Sequence, residues 1–131
     1  MAHVIGGQLG VAHGRTNAML LPHVIAYNAD LQGFGPGEYS QAAEKYAHAA
    51  QLAGLGGSTV RIAVRNLINA IVRLQKQMEM PTRLSQCQLK KELTTSVKER
   101  IGELALLDNC LATNPRRAEL NDVLHVLQQI G

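Results

Sequence analysis

Apolar side chains recur at helical spacing over most of the chain. Between residues 58 and 78 they step by three and four along one face, at Val60, Val64, Leu67, Ile71, Leu74 and Met78. This spacing predicts an amphipathic helix, for which Ser58 is a candidate N-cap. We expect this helix to be central, with its most buried positions at Val64, Leu67, Ile71 and Leu74.

Three further segments show the same periodicity, at residues 40–53, 90–107 and 119–130. The first is rich in alanine, the strongest helix former, and its small side chains allow close helix packing. No run alternates apolar and polar residues over a strand's length. The pattern predicts one all-α domain over residues 1–131, with five or six helices. Within it, residues 1–30 carry the candidate chemistry and residues 38–131 form a helical bundle.

The amino-acid composition argues against nucleic-acid binding and against a membrane-spanning protein. The chain is 46% hydrophobic, carries a formal charge of +3 and is 3% aromatic. We therefore expect neither a nucleic-acid partner nor a membrane span, because stacking residues, basic clusters and long apolar runs are lacking. Cys87 and Cys110 are far apart in sequence, which favours a reducing cytosol. Cys110 is interpreted as structural, since no base is recognisable beside it.

The first thirty residues differ from the rest, because they are rich in glycine, histidine and apolar residues at once. Neutral imidazole binds transition metals and can also move protons near neutral pH. His3, His13 and His23 are therefore candidate chemical groups, although histidines in an apolar helical protein are more often half-buried side chains satisfied by the backbone, and two fall short of the three or four ligands of a metal site. Asn17 either orients His13 or caps a neighbouring helix. The stripe Arg61, Arg65 and Arg73 is either a solvated face or a docking face.

These residues resemble the signature of the iron-dependent alcohol dehydrogenases, which are related to dehydroquinate synthase. The family pattern is His, three residues, His, two residues, Gly, six residues, His-Gly, two residues, Asn-Ala, two residues, Leu-Pro. The matching positions here are His3, Gly6, His13, Gly14, Asn17, Ala18, Leu21 and Pro22. The resemblance continues to Cys110 and Asn114-Pro115-Arg116, covers essentially the whole chain, and is densest over residues 2–29.

The resemblance implies a two-domain enzyme that transfers hydride between NAD(P) and a short primary alcohol or its aldehyde. An α/β domain would bind the dinucleotide, and an all-α domain would complete a site for Fe²⁺ or Zn²⁺ held by one Asp and three His. By position, His13 matches the last of these metal ligands. His3 matches a catalytic histidine beside the metal and nicotinamide that helps to move the proton.

The departures from the family pattern are equally informative. The first histidine of the pattern would precede His3 by four residues, and the other metal ligands and the dinucleotide-binding domain would lie further upstream. No Gly-x-Gly-x-x-Gly motif occurs in the chain, so no cofactor-binding residue is assigned.

We therefore expect a C-terminal domain that needs the missing nucleotide-binding half as its partner. Alone it should be inactive and should bind neither metal nor NAD(P) tightly. The alternative is a non-catalytic interaction or assembly module that kept the fold. In either case, without the domain that would cover it, an apolar face around His3, His13 and Ala18 should favour a homo-oligomer.

Overall fold

Every regular element of the chain is helical. The computed structural model describes residues 1–131 and contains no strand. Its six α-helices are α1 (Ala2–Leu9), α2 (His13–Ala29), α3 (Gln41–Leu52), α4 (Val60–Gln77), α5 (Thr95–Leu106) and α6 (Leu120–Ile130). Two short 3₁₀ helices span Leu84–Gln86 and Asn109–Thr113. The predicted all-α fold with five or six helices is confirmed, and no helix has both the length and the apolar character that crossing a bilayer requires.

Hydroxyl side chains set the starts of three helices. Ser40, Thr59 and Thr94 each accept a hydrogen bond from a backbone N–H in the first turn of α3, α4 and α5. Thr59 rather than Ser58 therefore caps α4. The predicted helix from residue 90 starts only at Thr95. The backbone N–H of Lys90 instead donates to the carbonyl of Leu9 over 2.9 Å, so this stretch is held against the end of α1.

The chain divides into two compact units. One comprises Met1–Leu21 with Glu79–Gly131, and the other comprises Pro22–Met78. The division falls at Pro22, inside α2. Proline has no backbone N–H, so the helical hydrogen-bond ladder is missing one donor at this position.

The unit of residues 22–78 is built on the α3–α4 pair. Its core consists of small or β-branched side chains, namely Ile25, Ala29, Ala43, Ala47, Ala50, Ala63 and Val64. The Ser40 hydroxyl donates to the carbonyl of Ala29 and accepts from the N–H of Ala43, each over 3.0 Å. One side chain thus joins the end of α2 to the start of α3.

The predicted burial of α4 is only partly correct. Val64 is fully buried, whereas Leu67 and Ile71 are half-buried and Leu74 is 55% exposed. Helix α3 has 12 residues and α4 has 18, or about 18 Å and 27 Å at 1.5 Å per residue. Helix α4 is thus longer than α3, and Leu74 lies in its last turn, where the neighbouring Gln75 is buried and Leu74 is not.

The other unit holds α1 in place beside α5, and α5 packs in turn on α6. Its fully buried side chains include Ile5, Leu9, Met19, Leu84, Ile101, Leu127 and Ile130. Gly102 allows the close approach of α5 and α6, because a Cβ there would lie 2.7 Å from Leu120 Cδ1. This packing fixes the axis of α1, the helix that carries the first candidate histidine.

Candidate functional site

His3 and His13 meet although they belong to different helices. Helix α1 ends at Gly10, whose φ of 75° is left-handed and whose N–H bonds to the carbonyl of Gly6. Glycine adopts this conformation without a steric penalty. The chain turns back within three residues and α2 begins at His13 itself. The two imidazole rings stack with centroids 4.8 Å apart and planes 5° from parallel, and both residues are exposed.

The stacking gives the two rings different possible roles. The lone pairs of imidazole nitrogens lie in the plane of the ring. In two parallel stacked rings these lone pairs lie in separate planes, so an ion held in the plane of one ring is displaced from the plane of the other. The pair is therefore suited to one metal ligand and one neighbouring base, and it does not form a two-histidine chelate.

Asn17 forms a hydrogen bond with His13. Its side-chain Nδ2 lies 2.9 Å from His13 Nε2, one helical turn away. With the amide N–H as donor, Nε2 of the neutral ring is the acceptor in this hydrogen bond. Of the two roles predicted for Asn17, orienting His13 is the one observed. A neutral ring with an available Nε2 lone pair is the form in which histidine binds metals.

Asp108 is the functional residue that sequence reasoning missed. Its Oδ2 lies 3.1 Å from His3 Nδ1, and its Oδ1 accepts the backbone N–H of Cys110 over 3.0 Å. The terminal ammonium of Met1 lies 3.7 Å from the same Oδ2. These donors, the Cys110 backbone N–H first and His3 second, lower the pKa of Asp108 from 3.8 to about 2. The carboxylate is thus ionised across the physiological range.

The structure places titratable side chains beside Cys110, whereas the interpretation of Cys110 as structural stays a prediction. Cys110 is exposed, and one ligand atom from each of His3, Asp108 and Cys110 lies within 4.8 Å of the others. His3 and Asp108 are 105 residues apart in the sequence, so no helical spacing indicates that they lie together. The match to family members at Cys110 and Asn114-Pro115-Arg116 was the available clue that this loop adjoins the site.

The remaining candidates lie outside this cluster. His23 belongs to the unit of residues 22–78, where it is half-buried and where desolvation lowers its pKa below 6.5. The half-buried position of His23 agrees with the alternative interpretation of this residue, in which it is not part of a site. Arg65 and Arg73 are exposed and Arg61 is half-buried, so this stripe is mainly solvated.

A family model matches the chain from residue 1 to residue 131, and its description is the C-terminal part of the Fe-containing alcohol dehydrogenase family. The chain belongs to the Fe-containing alcohol dehydrogenase family. The predicted resemblance is thereby confirmed.

Curated relatives and a solved structure agree with this membership. The NADPH-dependent butanol dehydrogenase of Clostridium saccharobutylicum is 30% identical over 98% of the chain, and the lactaldehyde reductase of Escherichia coli K12 is 32% identical over 96%. The crystal structure of a 1,3-propanediol oxidoreductase superposes with a TM-score of 0.81 at 29% identity over 99% of the chain. The chain spans 30% of the length of each of these two relatives and 31% of the crystallised chain.

The residues on this chain fit part of the metal site that the family name implies. His13 presents one exposed imidazole, whose Nε2 lies 2.9 Å from the Asn17 amide nitrogen. The group of three potential ligands on this chain contains His3, Asp108 and Cys110 and does not include His13. A structural or catalytic metal site needs three or four protein ligands. His13 can therefore serve as one ligand of a set whose other members come from elsewhere.

Proposed function

We propose that this chain is the helical half of a metal-dependent NAD(P) alcohol dehydrogenase, in which an alcohol and its aldehyde are interconverted by hydride transfer. The observation that carries this proposal is the stacked His3–His13 pair on a chain that matches the family over its whole length. The nucleotide-binding half is the partner, and together the two halves would form the active-site cleft.

His13 would hold Fe²⁺ or Zn²⁺ through Nε2, after exchanging its hydrogen bond with Asn17 for the metal. A bound divalent ion supplies Lewis-acid polarisation of the substrate oxygen, which lowers the pKa of an alcohol. The Asn17 amide lies 2.9 Å from the same Nε2, so it would orient the ring only until the metal takes its place.

His3 would act as the catalytic base. Its ring lies beside that of His13 and its side chain is 60% exposed, so a proton can reach the ring and leave to solvent. General-base groups of this kind contribute roughly 10²- to 10⁴-fold to the rate. Near neutral pH an imidazole can take the hydroxyl proton of an alcohol and return it in the reverse reaction.

The substrate would be a short primary alcohol or its aldehyde. This choice is supported by the names of the relatives, which include a butanol dehydrogenase, a lactaldehyde reductase and a 1-propanol dehydrogenase of Citrobacter freundii that is 31% identical over 99% of the chain. The two cysteines are unpaired, which favours the reducing cytoplasm as the location.

The chain alone should be inactive and should hold neither metal nor NAD(P) tightly. It carries one of the expected metal ligands and no dinucleotide-binding motif. A non-catalytic assembly module that kept the fold is the competing function, and it predicts inactivity under every condition.

An assay of alcohol-dependent NAD(P) reduction separates these functions. The purified chain is tested with propanol or butanol and added Fe²⁺ or Zn²⁺, alone and with a separately expressed nucleotide-binding half from a family member. We expect turnover only when both halves are present, and its loss in a His13→Ala variant. His125→Ala is the matched control, because His125 is exposed on α6. Turnover by the chain alone, or unaffected turnover in His13→Ala, would contradict the proposal.

A further inference from the structure

The carboxylate of Asp108 is connected to His3 by a single direct hydrogen bond, although the two residues are 105 positions apart. We propose that Asp108 is a positioning residue for His3: it holds the imidazole with its proton on Nδ1 and leaves Nε2 as the atom that accepts the substrate proton. This inference rests on the proposed function of His3 as the catalytic base.

The carboxylate itself is rigidly held. Asp108 is the N-cap of the 3₁₀ helix Asn109–Thr113, and its Oδ1 accepts the N–H of Cys110 over 3.0 Å. Its side chain is 13% exposed, whereas that of His3 is 60% exposed. Packing therefore fixes Asp108 but leaves the ring of His3 largely in solvent. The orientation of that ring must come from specific contacts.

Two contacts together determine the orientation of the His3 ring. Stacking on His13 sets the plane of the ring, which lies 5° from that of its neighbour. The hydrogen bond from Nδ1 to Asp108 Oδ2, 3.1 Å long, sets the rotation of the ring within that plane. Because a carboxylate can only accept, the proton must be on Nδ1. Nε2, across the ring from Nδ1, then carries the lone pair.

This arrangement determines the path of the substrate proton during the reaction. In alcohol oxidation the hydroxyl O–H bond breaks and its proton passes to His3 Nε2. NAD(P)⁺ held by the nucleotide-binding half would supply the hydride acceptor for the C–H bond, and the electron pair left on oxygen would form the carbonyl. The imidazolium that results is stabilised by the Asp108 carboxylate, which stays ionised. Nε2 then releases the proton to solvent.

The tautomer of His3 can be measured on the 131-residue chain without any turnover. Long-range ¹H–¹⁵N spectra of ¹⁵N-histidine-labelled protein, recorded at a pH where imidazole is neutral, distinguish a protonated Nδ1 from a protonated Nε2. We expect Nδ1–H in the wild type. In Asp108→Asn the side-chain oxygen can still accept from Cys110, so the amide N–H₂ faces Nδ1 and should reverse the tautomer to Nε2–H.

Two further samples make the result decisive. Glu103→Gln is the matched control, since Glu103 is an exposed carboxylate paired with Arg100 and not with His3; it should retain Nδ1–H. Added Zn²⁺ tests whether His3, Asp108 and Cys110 form a metal site instead. Nε2–H in the wild type, an unchanged tautomer in Asp108→Asn, or a shift of the His3 signals with Zn²⁺ that Cys110→Ser abolishes would each overturn the role of Asp108. An inactive two-half enzyme would contradict the proposed function while leaving the tautomer result intact.

Discussion

At the scale of single residues, the site consists of two histidines, each with its own hydrogen-bonding partner. Asn17 holds His13, Asp108 holds His3, and the two held rings stack on each other. The histidines could be found from the sequence, because the family pattern is dense around them. Asp108 could not be found in this way, since only the folded chain brings residue 108 beside residue 3.

The lowered pKa of Asp108 predicts a defined loss of stability in acid. Its pKa is about 2 in the folded chain against 3.8 ordinarily, so its contribution is fully present above about pH 4 and is lost as the pH falls towards 2. We expect the difference in unfolding free energy between wild type and Asp108→Asn to shrink across this range. Urea unfolding at several pH values would measure it, and a difference that stayed constant from pH 5 to pH 2 would contradict the assignment.

At the scale of elements, periodicity located four of the six α-helices, and capping hydroxyls explain where three of them start. Residues 40–53 were predicted and Gln41–Leu52 is observed, because Ser40 both caps α3 and anchors the end of α2. The burial of α4 was harder to predict. Its apolar face continues to Met78, but spacing along one helix contains no information about the length of its neighbour.

A pair of substitutions on α4 tests this explanation. Val64→Ala removes two fully buried methyl groups and should cost at least about 1.5 kcal/mol, at roughly 0.8 kcal/mol per group with a cavity added. Leu74→Ala removes a larger side chain that is 55% exposed, and it should cost less than about 1 kcal/mol. Urea unfolding of both variants provides the test; a larger loss for Leu74→Ala would show that α4 buries its C-terminal end.

At the scale of the whole molecule, seven large apolar side chains are exposed. They are Leu21, Phe34, Leu52, Ile62, Leu74, Met78 and Leu107, and most of them lie in the unit of residues 22–78. Near His3 and His13, Ala18 is half-buried, and Leu107 beside Asp108 is 77% exposed. The apolar face expected there stays a prediction, and the exposed apolar positions of residues 22–78 offer a further surface for association.

We expect the purified chain to self-associate, because exposed apolar side chains favour contacts between molecules. Static light scattering over a range of concentrations should give a mass above the 14.2 kDa of one chain. The double variant Leu74→Gln with Met78→Gln should shift the distribution towards the monomer. A mass of one chain at all concentrations in the wild type would rule out this association.

The central claim, that His13 is a metal ligand and His3 is a base, is tested most directly by metal content in the two-half enzyme. The wild type, His13→Ala, His3→Ala and the control His125→Ala are purified with the nucleotide-binding half and analysed by inductively coupled plasma mass spectrometry. We predict that His13→Ala loses most of its iron or zinc. His3→Ala should keep the metal of the wild type and lose roughly 10²-fold or more in turnover. Full metal content in His13→Ala, or loss of metal in His3→Ala, would contradict the assignment of the two histidines.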